Sequence, residues 1–197
     1  MVSPGERLRS LEEEWKWTLV AAGAFGVAGA VSAIAVWLFI GVLGEIPALT
    51  ALRETVAYVV SLALVSTVLG AVLGGTFWYL VFERVCATSL ERHSAWGYPV
   101  SGGLVGLLNG VFVHIATVWI TLLVIEVGSS FQSGAPPFSR ASVYAFLFVP
   151  FFSLLLFGWV SVPPYMFAGA CLGAGRHLAP FATGSESTPR NRKADRG

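Results

Sequence analysis

The sequence predicts an all-α integral membrane protein, a four-helix transmembrane bundle whose fourth helix is long and kinked by proline. Three observations predict it. First, 55% of the residues are hydrophobic and only 12% are charged. That is about half the charged share of a soluble domain, too little polar surface to coat a water-exposed globule. Second, the apolar residues gather near 17–43, 56–82, 99–127 and 141–175, and each stretch exceeds the roughly 20 helical residues that span hydrocarbon. Third, the basic side chains segregate between the connections as four crossings require.

Residues 1–16 form a polar, cytoplasmic, amphipathic segment. Ser3, Pro4 and Glu6 read as a helix start, with Leu8, Leu11 and Trp15 on one face and Glu12 paired with Lys16 one turn on. The first span, 17–43, begins at an aromatic anchor formed by Trp15 and Trp17. Three glutamates precede it, and it is longer than the apolar core of a signal peptide, so it reads as a retained span. Gly44 to Pro47 end it, and an outer loop with Arg53 and Glu54 leads to the second span, 56–82, closed by Glu83 and Arg84. A cytoplasmic loop with Glu91, Arg92 and His93 precedes the third span, 99–127, and residues 128–140 read as a turn-rich outer loop.

The fourth stretch, 141–175, would be ~52 Å long as a straight helix, against a hydrocarbon core of ~30 Å. Pro150 and the pair Pro163-Pro164 are the expected kinks. A single kinked crossing competes with two crossings meeting at Pro163. Charge decides between them. Four crossings put all the lysines and arginines except Arg53 and Arg140 on the inner side, whereas a fifth would leave five inside and seven outside. Both termini are therefore expected in the cytoplasm of a multi-pass cell-membrane protein. The tail, 179–197, is too polar to fold.

Each span carries a stripe of small residues through which helices approach in lipid. Ala22 and Gly26 mark the first, Gly70 and Gly74 the second, Gly103, Gly106 and Gly110 the third, and Gly169 and Gly173 the fourth. The same stripes would serve a second copy or another membrane protein equally well. The run Gly70 to Gly75 echoes Gly169 to Ala174, as a duplicated hairpin would.

Few residues carry chemistry. His114 lies midway along the third span, and Thr117 and Thr121 continue its face at +3 and +7. Intramembrane polar groups face the bundle interior, so this is the candidate polar face. Asn109 lies about 140° around the same helix and should bridge helices. Glu126 should be a solvated interfacial acid, and with Glu45 and Glu54 it could rim an outer vestibule. Cys86 and Cys171 read as small apolar residues, with lipidation of Cys86 as an alternative. No Cys/His set has metal-ligand spacing, and no hydrolase, metalloprotease or nucleotide-binding motif occurs. The expectation is no catalytic residue, no metal and no cofactor. A net charge of +1 gives no reason to expect nucleic acid. The lipid bilayer is the one partner the sequence names, and no small-molecule substrate is identifiable. The leading expectation is a non-enzymatic membrane subunit, scaffold or accessory module. The alternative is a small oligomeric transporter or channel with a route lined by His114, Thr117 and Thr121.

Overall fold

The computed structural model describes residues 4–43, 52–86, 96–134 and 140–184, and everything below concerns these. The chain there is all-helical, with four helices long and apolar enough to cross a membrane. Helix α1 spans Pro4–Leu43 and α2 spans Leu52–Phe77, continued by a π-helical segment, Trp78–Cys86. Helix α3 spans Gly97–Ser133, α4 Arg140–Ser161 and α5 Pro163–Gly184. Proximal here means the end where α1 begins and α5 finishes, and distal the opposite end.

Helix α1 runs from Pro4 into the first apolar stretch without a break, and the Glu12–Lys16 ion pair forms at 2.8 Å. The Ser3 cap, the side chains of Leu8 and Leu11, residues 44–51 (with Glu45), residues 87–95 and the tail from 185 lie outside the described residues. So do the side chains of Arg53, Glu54 and Cys86.

The third helix corrects one expectation. Residues 128–133, read as loop, continue α3. The hydroxyls of Ser129 and Ser130 donate to the Glu126 carbonyl, and that of Ser133 to the Ser129 carbonyl. The serines thus bond back to their own helix rather than turning the chain. The helix stops at Gly134, whose φ of 66° is the left-handed conformation that glycine tolerates, with its N–H on the Ser130 carbonyl.

The long fourth stretch divides at Val162, immediately before Pro163-Pro164, while Pro150 sits inside α4. Contacts with α3 decide how the two pieces run. Going down α3, Glu126 meets Ser142, Trp119 meets Phe146, His114 meets Ser153 and Ser161, Gly106 meets Tyr165 and Gly102 meets Gly169. The partner number rises throughout as the α3 number falls. Helices α4 and α5 therefore form one antiparallel path along α3, and the chain does not turn back at Pro163.

Two antiparallel hairpins result, α1 with α2 and α3 with α4–α5. A Cβ added to Gly29 would strike the Ser66 carbonyl, and one on Gly106 would strike the Tyr165 carbonyl. One on Gly70 would meet the Phe25 carbonyl, and one on Gly169 the Gly102 carbonyl. Gly26 approaches Thr67 and Ala71, just as Gly103 approaches Met166 and Ala170. In all three pairings, adding 77 converts the α1 residue to its α3 counterpart, and adding 99 converts the α2 residue to its α5 counterpart. The echo between residues 70–75 and 169–174 thus extends to residue-by-residue packing. The two hairpins repeat one design in the same orientation.

The core lies in the proximal half. Phe25, Trp78, Phe82, Val105, Tyr165 and Leu172 are buried there, with the Trp78 and Phe82 rings stacked 4.0 Å apart between centroids.

Candidate functional site

Between the hairpins, toward the distal half, lies a cavity of about 290 Å³. All five helices line it. Helix α1 supplies Ser32, Val36 and Trp37, α2 supplies Leu62 and Ser66, and α3 supplies Val113, His114, Thr117 and Thr121. Helix α4 adds Val149, Ser153, Phe157 and Ser161, and α5 adds Tyr165. Val149 is exposed and Trp37, Thr121 and Leu122 are half-buried, whereas Ser66, Thr117, Ser161 and Tyr165 are buried. The lining is therefore most deeply buried toward the proximal core. A second concavity, flanked by Val27, Val31, Trp159, Pro163 and Phe167, is an open apolar groove without polar side chains.

The expected polar face holds together: His114, Thr117 and Thr121 all line the cavity. The His114 ring is held at both nitrogens, Nε2 2.9 Å from Ser153 Oγ and Nδ1 2.9 Å from Ser161 Oγ. The Ser153 hydroxyl already donates to the Pro150 carbonyl at 2.9 Å. Its oxygen can then only accept from Nε2–H, which leaves Nδ1 to accept from Ser161. This assigns the neutral Nε2–H tautomer and a directed chain, Ser161 to His114 to Ser153 to the Pro150 carbonyl. The Thr117 hydroxyl lies 3.4 Å from that of Ser66, and the Thr121 hydroxyl donates to its own helix at Thr117.

The prolines shape the same wall. Pro150 has no N–H, so the Phe146 carbonyl loses its helical donor; the Trp119 indole replaces it at 2.8 Å. At the break, the Tyr165 N–H bonds to Val162 rather than to Ser161. The Ser161 carbonyl is thereby released, and the Ser32 hydroxyl of α1 captures it at 2.8 Å. Neighbouring helices thus satisfy the Phe146 and Ser161 carbonyls.

Asn109 is fully buried, and its amide reaches from α3 to the Gly70 carbonyl of α2 at 3.4 Å. Glu126 is not simply solvated, because the Ser142 hydroxyl donates to it at 2.6 Å. Of the small residues singled out, Gly70, Gly74, Gly106, Gly110, Gly169 and Gly173 stand in close helix contact. Gly103 has more room, and Ala22 abuts Gly75. Sequence reasoning passed over Gly29 and Gly102, two of the tightest positions.

It also missed a cluster that closes the proximal end. In the π-helical segment, residues five apart share a face. Trp78 Nε1 accordingly donates to Glu83 at 3.1 Å, and Arg84 to Tyr79. The Glu83 side chain is only 3% exposed. Arg176 of α5 reaches it at 3.5 Å, reaches Glu13 of α1 at 3.8 Å, and packs over the Trp17 ring. One guanidinium thus bridges both hairpins beneath the aromatic core. Among the described residues, no cluster of His, Cys, Asp and Glu could hold a metal ion. Compared with known proteins, the chain matches no family model, no curated protein and no solved structure.

Proposed function

We propose that this chain crosses the cell membrane four times with both ends cytoplasmic, and that it binds a small amphiphilic molecule in the cavity between its hairpins, as a small transporter or carrier does. Membrane insertion is supported by what the helices leave bare. Val60, Leu64, Val68 and Val72 form an exposed stripe on α2, and Phe151, Phe152, Leu155 and Leu156 another on α4. Continuous apolar faces of this kind are tolerated in hydrocarbon and not in water. The orientation rests on the basic side chains, which make the proximal end cytoplasmic.

The cavity is the observation that carries the binding reading. It combines aliphatic and aromatic walls with converging hydroxyls and an imidazole, at the lower end of the ligand-pocket size range. A scaffold would have no use for such a space, and a packed interior would be more stable. The placement also suits a carrier. The cavity lies distal to a half sealed by aromatic packing and the Arg176 bridge, with two like-oriented repeats on either side of the seam. Chemistry has less support. Ser161 and His114 have the spacing of a nucleophile and its base, but no carboxylate orients the ring, and its second nitrogen is spent on Ser153.

Filling the cavity tests this reading. In native mass spectra of the full chain released from lipid nanodiscs, the wild type is expected to carry a bound small molecule that Thr121→Phe has lost. Identical spectra, from two proteins of equal thermal stability, would favour the scaffold instead.

A further inference from the structure

The apolar groove and the cavity share one wall. Val31 of α1 and Val160 of α4 line the groove, whereas the very next residues, Ser32 and Ser161, line the cavity. The hydrogen bond from the Ser32 hydroxyl to the Ser161 carbonyl, 2.8 Å long, therefore stands between the two spaces. It lies beside the break at Val162. Pro163 and Pro164 have no N–H to return to the Trp159 and Val160 carbonyls, and the Tyr165 N–H goes to Val162. The junction of α4 and α5 thus lacks three successive helical hydrogen bonds, and α4 can swing there.

The repeat supplies a comparison. By the offsets of 77 and 99, Ala28 and Ala168 of the groove correspond to Val105 and Leu69 on the seam of α2 with α3. There Val105 is buried in the core and Leu69 packs against it. Ser32 corresponds to Asn109, which is fully buried and also reaches a carbonyl across its seam. Both seams are bridged by a polar side chain at the same position. One is filled by larger side chains, and the other gives up that packing to alanines.

We infer that the seam of α1 with α4 is a side door between bilayer and cavity. A single-chain amphiphile lies with its chain in the groove and its polar head in the cavity, and the Ser32–Ser161 hydrogen bond opens to admit it. The order of the described linings matches such a molecule: apolar outside the latch, with hydroxyls and an imidazole inside it. The inference rests on the cavity being a binding site, as proposed above.

Hexadecanol is the probe, a single chain whose hydroxyl can replace that of Ser32 on the Ser161 carbonyl. A hexadecanol bearing a diazirine next to its hydroxyl is flashed with the full chain in liposomes, and the labelled peptides are mapped by mass spectrometry. The label should fall on Val113 and Thr117 of the cavity, and excess plain hexadecanol or Thr121→Phe should remove it. The bound state has the latch open, so Ser32→Ala should half-saturate at about three- to tenfold lower probe, the worth of one hydrogen bond. Val31→Trp, which fills the groove from an exposed position, should lose the cavity label, whereas Leu64→Trp on the bare face of α2 should keep it. Unchanged half-saturation in Ser32→Ala, or a Val31→Trp that labels like Leu64→Trp, would overturn the door and leave the cavity standing. If Val113 and Thr117 of the wild type take no label that plain hexadecanol displaces, the binding site itself is refuted.

Discussion

Gly102→Leu is expected to unfold the second hairpin. The Gly102 and Gly169 backbones meet directly, and the Gly173 Cα lies 3.2 Å from any Cβ placed on Gly102. A leucine there presses on two stretches of main chain, neither of which can swing aside as a side chain would. Relief requires α3 and α5 to separate along the seam that also seats Tyr165 over Gly106. Overpacking a well-filled core costs about 1–3 kcal/mol, and a collision with backbone belongs at or above the top of that range. Thermal unfolding in detergent, followed by size exclusion, measures it. Gly23→Leu is the control, because nothing stands within 4 Å of its Cβ position. It should unfold at the wild-type temperature or slightly above, since leucine is the better helix former. Gly102→Leu behaving like Gly23→Leu would refute the close α3–α5 contact.

Arg176→Met should be nearly as damaging. Among the described residues, it removes the one cation that reaches the buried Glu83 carboxylate and leaves that oxygen with the Trp78 N–H alone. A buried charge stripped of its partner costs on the order of 3 kcal/mol. It also unties α5 from Glu13 of α1. Glu83→Gln alone should be milder, because the amide oxygen can still accept from Trp78. Combined with Arg176→Met it should recover most of the lost stability, because no uncompensated charge then remains. A double-mutant cycle on unfolding free energies reads this directly. Strict additivity would mean that the two side chains do not interact across the hairpins.

Much of the fold was legible because four runs are each apolar over more residues than a membrane-crossing helix needs, and the scarcity of charge points the same way. The faces of His114, Thr117 and Thr121 and of the glycines were legible too, because helical periodicity places them without knowledge of neighbours. What escaped depends on pairs of helices. Gly29 and Gly102 are decisive only through carbonyls on α2 and α5. Ser153, Ser161 and Ser32 are ordinary serines until a proline-broken helix brings them to His114 or to a freed carbonyl. Glu83 read as the polar end of a span, because its burial needs a π-helical turn that no residue pattern announced. The overrun of α3 to Ser133 escaped because serine and glycine signal turns only where their hydroxyls and backbones lack a better partner within the helix.

The most direct measurement is cysteine accessibility in intact cells, on a chain with Cys86 and Cys171 replaced by alanine. A small, membrane-impermeant, cationic thiosulfonate applied outside should modify Thr121→Cys quickly and Ser66→Cys, deeper in the cavity, more slowly. Leu155→Cys, on the bare apolar face of α4, should not react. If the Thr121 and Ser66 cysteines stay as inert as Leu155→Cys, or react only from the cytoplasmic side, the space between the hairpins does not open outward and the binding reading falls with it.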